Sequence, residues 1–142
     1  MKYRIQKGRL VYHATEEDLI QIKYFNLVRL YKKQYEELNM VFSVPNGLPM
    51  SASSRNLAID TGLTAGIPDV SIDIPRGSYP GAKIEFKSKK GVLSSEQRRY
   101  KKLYEKFGWL YVIYRDAEEA WEFTLDYIGL LGLKNFHFRG YN

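Results

Sequence analysis

Residues 69–88 read DVSIDIPRGSYPGAKIEFKS, and this stretch decides the fold. From Asp69 to Pro75 polar and apolar residues alternate, as on a half-buried strand. Residues 76–81 (RGSYPG) are turn formers and have hairpin length. From Ala82 to Ser88 the alternation resumes, with Ala82, Ile84 and Phe86 on one side and Lys83, Glu85 and Lys87 on the other. The pattern predicts a β-hairpin whose second strand shows Glu85 and Lys87 on one face, with Asp69 brought alongside. Two converging carboxylates repel unless a cation lies between them, and oxygen ligands of this kind suit magnesium or manganese. A lysine on the same face can orient a water or neutralise charge building on a phosphate. The plainer alternative is that Asp69 ends a turn while Glu85 and Lys87 belong to a solvated strand face.

Working outward, Thr15 stands where a helix cap belongs, before the acidic first turn Glu16, Glu17 and Asp18. Ile20, Tyr24, Leu27, Val28, Tyr31 and Tyr35 recur at steps of three and four, which predicts an amphipathic helix from about 16 to 37. On the helical wheel Glu17 falls within about 20° of Tyr24, in mid-stripe, whereas Glu16 lies about 80° away at the margin. A carboxylate facing the core is costly without a cation or donor. First-turn acids also favour the helix dipole with no further role. Met40–Val44 reads as a short strand ended by the PNG turn at 45–47, and residues 48–66 are small and loop-like, with a helical turn near Ser54–Asp60. Residues 94–97 (SSEQ) have capping-box spacing. They open a helix expected to bury Tyr100, Leu103, Tyr104 and Phe107 and to stop at Gly108. Trp109–Tyr114 is a strand, and Asp116–Trp121 begins a last helix. Residues 1–14 suggest a strand pair turning near Gly8. The whole is an α/β chain with a mixed central β-sheet flanked by helices.

A length of 142 residues fits one domain. The absence of cysteine excludes a disulfide framework, a thiolate zinc site and a cysteine nucleophile. No apolar run has the length of a signal peptide or a membrane span, so a soluble, intracellular chain is expected. The net charge of +6 is concentrated: residues 82–106 hold nine basic and three acidic residues, and the remaining chain holds thirteen of each. Such a local excess suits a polyanion contact surface, or else a solvated helix face. His13 and His137 have no metal-ligand neighbours. Asp73 lies one pleat beyond Asp69 and reads as structural.

The ordered set GIPD (66–69), IEFK (84–87) and SSEQ (94–97) resembles the signature of the PD-(D/E)xK nuclease superfamily. More narrowly, it is similar to the virus-type replication-repair nuclease (VRR-NUC) domain, found alone in phages and fused in larger repair enzymes. Glu17 with Gln21, the PNG turn, and Gly62 with Gly66 agree; the family's aromatic or histidine before that turn is Val44 here. The likeness covers about residues 15–120 within a single domain of 1–142. It implies a restriction-endonuclease-like core and a metal-dependent endonuclease that hydrolyses DNA phosphodiester bonds, at branched or otherwise structured sites, as a homodimer. It further implies that Asp69 and Glu85 hold magnesium or manganese together with the main-chain carbonyl of Phe86, and that Lys87 positions the attacking water. Gln97 lines the site in the family, although here it is also the third residue of the capping box; Glu17 joins them. Lys89, Lys90, Arg98, Lys101 and Lys102 are the expected phosphate contacts. A cytoplasmic location follows, in the bacterial host cell if the chain is phage-encoded. Two rivals stay open: a binding module that keeps the fold without cutting, and a nuclease acting on RNA or on strand ends.

Overall fold

Side-chain caps start the helices of the computed structural model, which describes residues 3–7, 9–45 and 47–129. Thr15 caps helix α1 (Glu16–Tyr31): its hydroxyl accepts from the Asp18 amide at 3.2 Å, and the Asp18 carboxylate accepts from the Thr15 amide at 2.7 Å. Ser51 caps α2 (Ala52–Asp60), and Ser94 caps α3 (Ser95–Lys106). Asp116 accepts from the Glu118 and Glu119 amides to open α4 (Ala117–Ile128), which Gly129 closes in the left-handed region at φ 78°.

Strands β1 (Tyr3–Gln6) and β2 (Arg9–Tyr12) form a separate antiparallel pair. The expected turn at Gly8, the turn residue Asn46 and His137 lie outside the described residues. The main sheet runs β3 (Val41–Ser43), β4 (Val70–Ile72), β5 (Ala82–Phe86) and β6 (Leu110–Tyr114). The first three are antiparallel; β6 pairs parallel to β5 after the crossover through α3. The mixed sheet expected from sequence is present.

Register sorts the two faces. Val70 faces Ile84, Ile72 faces Ala82, and Ile84 faces Val112. Together with Phe86 and Tyr114 these side chains form the buried layer under α1 and α4. Tyr24 of α1 lies 5.4 Å from the Phe86 ring, and its hydroxyl hydrogen-bonds that of Thr124 on α4 at 2.7 Å. Burial of each such large side chain contributes about 1.5–3 kcal/mol. The opposite face pairs Ser71 with Lys83, Lys83 with Tyr111, and Glu85 with Ile113, and α3 covers it.

Three expectations are corrected. The first helix ends at Tyr31 and not near 37, because the amides of Gln34 and Tyr35 both return to the Tyr31 carbonyl. The apolar spacing continues through this turn, with the Tyr31 and Tyr35 rings stacked at 6.4 Å, into a 3-10 turn at Glu36–Met40 that buries Leu38. Second, β4 and β5 are buried on both faces, not half-buried. Their polar residues lie under α3, so alternation here separates an apolar layer from a charged one. Third, Phe107 is exposed: the helix ends on it and Gly108 takes φ 85°, so it leaves the stripe that part-buries Tyr100, Leu103 and Tyr104.

Candidate active site

The charged layer begins with Asp69, directly before β4. Its Oδ2 accepts from the Phe86 amide at 2.8 Å, which ties it to β5. Glu85 is 1% exposed and holds two partners on Oε1: the Gln97 side-chain amide at 2.6 Å and the Lys87 ammonium at 3.0 Å. Its second oxygen, Oε2, is buried with no hydrogen-bond partner. Lys87 is itself buried, with Glu17 Oε2 at 3.6 Å.

Gln97 reconciles two roles that the sequence set against each other. Its carbonyl oxygen accepts from the Ser94 amide at 2.8 Å, completing the capping box, while its NH₂ group donates to Glu85. The cap therefore fixes the amide's orientation: only an oxygen can face the Ser94 N–H, so the donor end must face the carboxylate. Gly66 seats this helix end. At φ 88°, a Cβ there would come within 2.7 Å of the Glu96 carbonyl carbon, so the close approach of α3 to the turn before Pro68 and Asp69 requires glycine.

The start of α1 closes the site from the other side. Glu17 Oε1 accepts from the Ser88 amide at 3.2 Å, and Glu16 Oε1 accepts from the Lys89 amide at 3.1 Å. Glu16, at the margin of the helical stripe, thus joins Glu17: adjacent glutamates clamp adjacent amides. Arg115 braces the same loop through the Gly91 carbonyl at 2.9 Å and the Ser88 carbonyl.

Thr15, Glu17, Asp18, Gln21, Asp69, Glu85 and Gln97 meet around a pocket of about 250 Å³. Its electrostatics follow from burial. Desolvation pushes Asp69 up to about 6, with Glu17 and Asp18 adding to the rise and the Phe86 amide and Lys87 opposing it. Desolvation, then the Asp69 charge, pushes Glu85 up to about 7 against the pull of Lys87. Burial also raises the Tyr111 hydroxyl, further raised by Glu85 and Asp69, and that hydroxyl has no hydrogen-bond partner. Among the described residues no group of three or more His, Asp or Glu side chains gathers as a ready-made metal cage. The pair Asp69 and Glu85, with one buried lone-pair oxygen unused, nevertheless fits a divalent cation: hard, oxygen-seeking and able to offset the repulsion.

The expected site residues Glu17, Asp69, Glu85, Lys87 and Gln97 thus stand together. The basic residues do not form one patch. Arg98 and Lys102 line a groove of about 390 Å³ on α3 with Arg99 and Lys106. Lys101 lies off it, paired with Glu105 and 5.8 Å from the Tyr111 ring centre. Lys89 and Lys90 are exposed on the turn after β5. Sequence reasoning missed Asp18, Tyr111 and Arg115 as neighbours of the site. Strand alternation could have placed Tyr111 on the Glu85 side, but only with the parallel register in hand.

This α/β core, with Asp69 directly before β4, Glu85 on the adjacent antiparallel strand β5 and Lys87 just beyond it, has the PD-(D/E)xK-like arrangement expected from sequence. Within that class the chain is similar to a solved structure described as "VRR_NUC domain protein", with a TM-score of 0.65 and 22% identity over 83% of this chain and 92% of that one. The likeness shows the VRR-NUC fold. No protein-family model matches the chain, and no curated protein matches it.

Proposed function

We propose that this chain is a divalent-metal-dependent nuclease that hydrolyses phosphodiester bonds within DNA, at branched or otherwise structured sites. The observation that carries the reading is Glu85, a carboxylate 1% exposed whose Oε2 is unpartnered beside the half-buried carboxylate of Asp69. Leaving that buried oxygen without a partner costs about 1–3 kcal/mol, which a bound cation would offset. Asp69 and Glu85, with the main-chain carbonyl of Phe86, would hold magnesium or manganese, which supplies Lewis acidity and positive charge at the phosphate when bound. Gln97 and Lys87 occupy Oε1 of Glu85 and so leave Oε2 for that ion. Lys87, steadied between Glu85 and Glu17, orients the attacking water and faces the charge that builds on the phosphate. Lys89, Lys90 and the α3 groove with Arg98 and Lys102 contact flanking phosphates, and Lys101 lies near that path. The chain works as a single domain and as a homodimer, so that two sites address two strands. Among the described residues no helix is long and apolar enough to cross a membrane.

The test is incubation with duplex, flap and four-way junction DNA, and with RNA, in magnesium, manganese or chelator, followed by gel analysis. Internal cuts in branched DNA, dependent on metal, are expected. Cutting in chelator, or none on any substrate with either metal, would overturn the reading; cutting of RNA alone would transfer it to RNA.

A further inference from the structure

Beside the acidic pocket lies a second one of about 400 Å³, and the two share Asp18, Gln21 and Asp69. That volume is within the range of small-molecule sites, about 300–1,000 Å³. Its remaining wall is mostly apolar, built from Ile22 and Phe25 of α1 and from Val44, Pro45 and Leu48 across from them. Ile22 and Leu48 are 50% and 59% exposed, an unusual use of large apolar residues at the rim of a charged site. Asp18, Ile22, Phe25 and Arg29 follow at steps of four, three and four, so they form one stripe of α1. The stripe leads about 16 Å along the helix axis, from the acidic mouth to a guanidinium.

The charges limit what can enter. Asp18 and Asp69 at the mouth repel a phosphate, and the apolar middle would strip its water. An uncharged body with polar edges fits: apolar walls cover its faces, while Gln21 and Ser43 can meet its edge groups. At the far end Arg29 spends one donor on Asn26, at 2.7 Å, and keeps others for an anion. We infer that this pocket takes one unpaired nucleobase of the strand being cut, beside the scissile phosphate, with Arg29 on the phosphate of a following nucleotide. The assignment rests on the nuclease reading and narrows it. A base stacked in duplex cannot enter, so the preferred substrate carries an unpaired nucleotide at the cut.

The experiment measures binding and not cutting. Fluorescence anisotropy in chelator follows a labelled oligothymidine single strand and a blunt duplex against the wild type, Ile22→Ala/Leu48→Ala, Arg29→Ala and Leu30→Ala. Leu30 is on the same helix, 70% exposed and outside the pocket, and serves as the control. The double variant should bind the single strand about tenfold more weakly, with duplex binding and the control within about twofold of wild type. Arg29→Ala should weaken single-strand binding by a smaller factor. Unchanged single-strand binding, or equal losses on both DNAs, would overturn the base pocket alone. A double variant that turns a dimer into a monomer in sedimentation would assign the face to a second copy and overturn it too. A wild type that binds neither DNA in chelator and cuts none with magnesium or manganese removes the nuclease reading, and the pocket's assignment with it.

Discussion

Two charged stations stand on the same face of β4 and β5, and they have opposite fates. At one end Asp69, Glu85 and Glu17 surround the single ammonium of Lys87. At the other Lys83 meets the Ser71 hydroxyl at 2.6 Å and Asp73 at 4.0 Å, under the rings of Trp109 at 4.3 Å and Tyr104 at 5.1 Å. Burial lowers the Lys83 pKa, with Asp73 opposing. Both stations use lysine and aspartate on one hydrogen-bonded ladder, yet the second balances one cation with one anion and roofs it with aromatic rings. The first carries surplus negative charge and an unused oxygen. Residue type alone does not separate a site from a structural ion pair; the charge balance does.

Breaking one lysine at each station tests this most sharply. Lys87→Met should lower cleavage by at least about a hundredfold while metal binding, followed by calorimetry, survives. Lys83→Met, which replaces a paired buried cation by a side chain of similar shape, should leave cleavage within about twofold. Equal losses would dissolve the distinction. Asp69→Ala and Glu85→Ala should lose both cleavage and metal binding, with circular dichroism of the fold retained.

The adjacent glutamates sharpen the same contrast at smaller scale. Glu17→Gln removes one charge from the surplus and should reduce cleavage about tenfold or more. Glu16→Gln keeps an acceptor for the Lys89 amide and should behave almost as wild type. Matching rates for the two would leave Glu17 with a purely structural role.

Much of this was legible in the chain. The hairpin from Asp69 to Ser88, both serine and threonine caps, and the clustering of Asp69, Glu85 and Lys87 all follow from rules that act over a few residues. What the sequence left open depended on distant segments. Helix α1 stops at Tyr31 because the chain must turn to deliver β3, and apolar spacing does not register that. Whether Glu85 is solvated or buried depends on α3 lying over it. The Gln97 question had no answer while cap and site were treated as alternatives, since one amide has two ends. Glu16 looked marginal on the wheel because its partner, the Lys89 amide, is 73 residues away.

Protonation provides the next test. Asp69 and Glu85 bind protons more tightly when folded than when unfolded, since their pKa values rise to about 6 and about 7. Their influence is absent where both states are protonated, below about pH 3. It destabilises the fold increasingly as pH rises towards 7, and fully above that. In chelator, Glu85→Gln should therefore melt several degrees above wild type at pH 8 and close to it at pH 4. Magnesium or manganese should close most of the gap at pH 8, because an ion that binds only the folded state stabilises it. A gap independent of pH would show that the carboxylate carries no such strain.

The smallest expected effect lies outside both stations. Lys89→Ala/Lys90→Ala in a cleavage-dead background should weaken binding to all sequences alike and reduce the salt slope by up to about two units. The same pair of changes should leave melting unaltered. An unchanged slope would assign this part of the charge excess to solubility.

The clamp of Glu16 and Glu17 on the Ser88 and Lys89 amides also sets an order of events. Asp69 reaches Phe86 across 17 residues and Gln97 reaches Glu85 across 12, whereas Glu17 reaches Ser88 across 71. Closing the longer loop costs more entropy, by roughly 1 kcal/mol or more on a logarithmic scale. The acidic pair with its glutamine can therefore assemble while the chain is still growing or opening, and the first helix locks on last. In native-state hydrogen exchange the Ser88 and Lys89 amides should open before that of Phe86, at a lower free energy. The loop at Ser88 and Lys89 would then be the first part of this site to let go and the last to form.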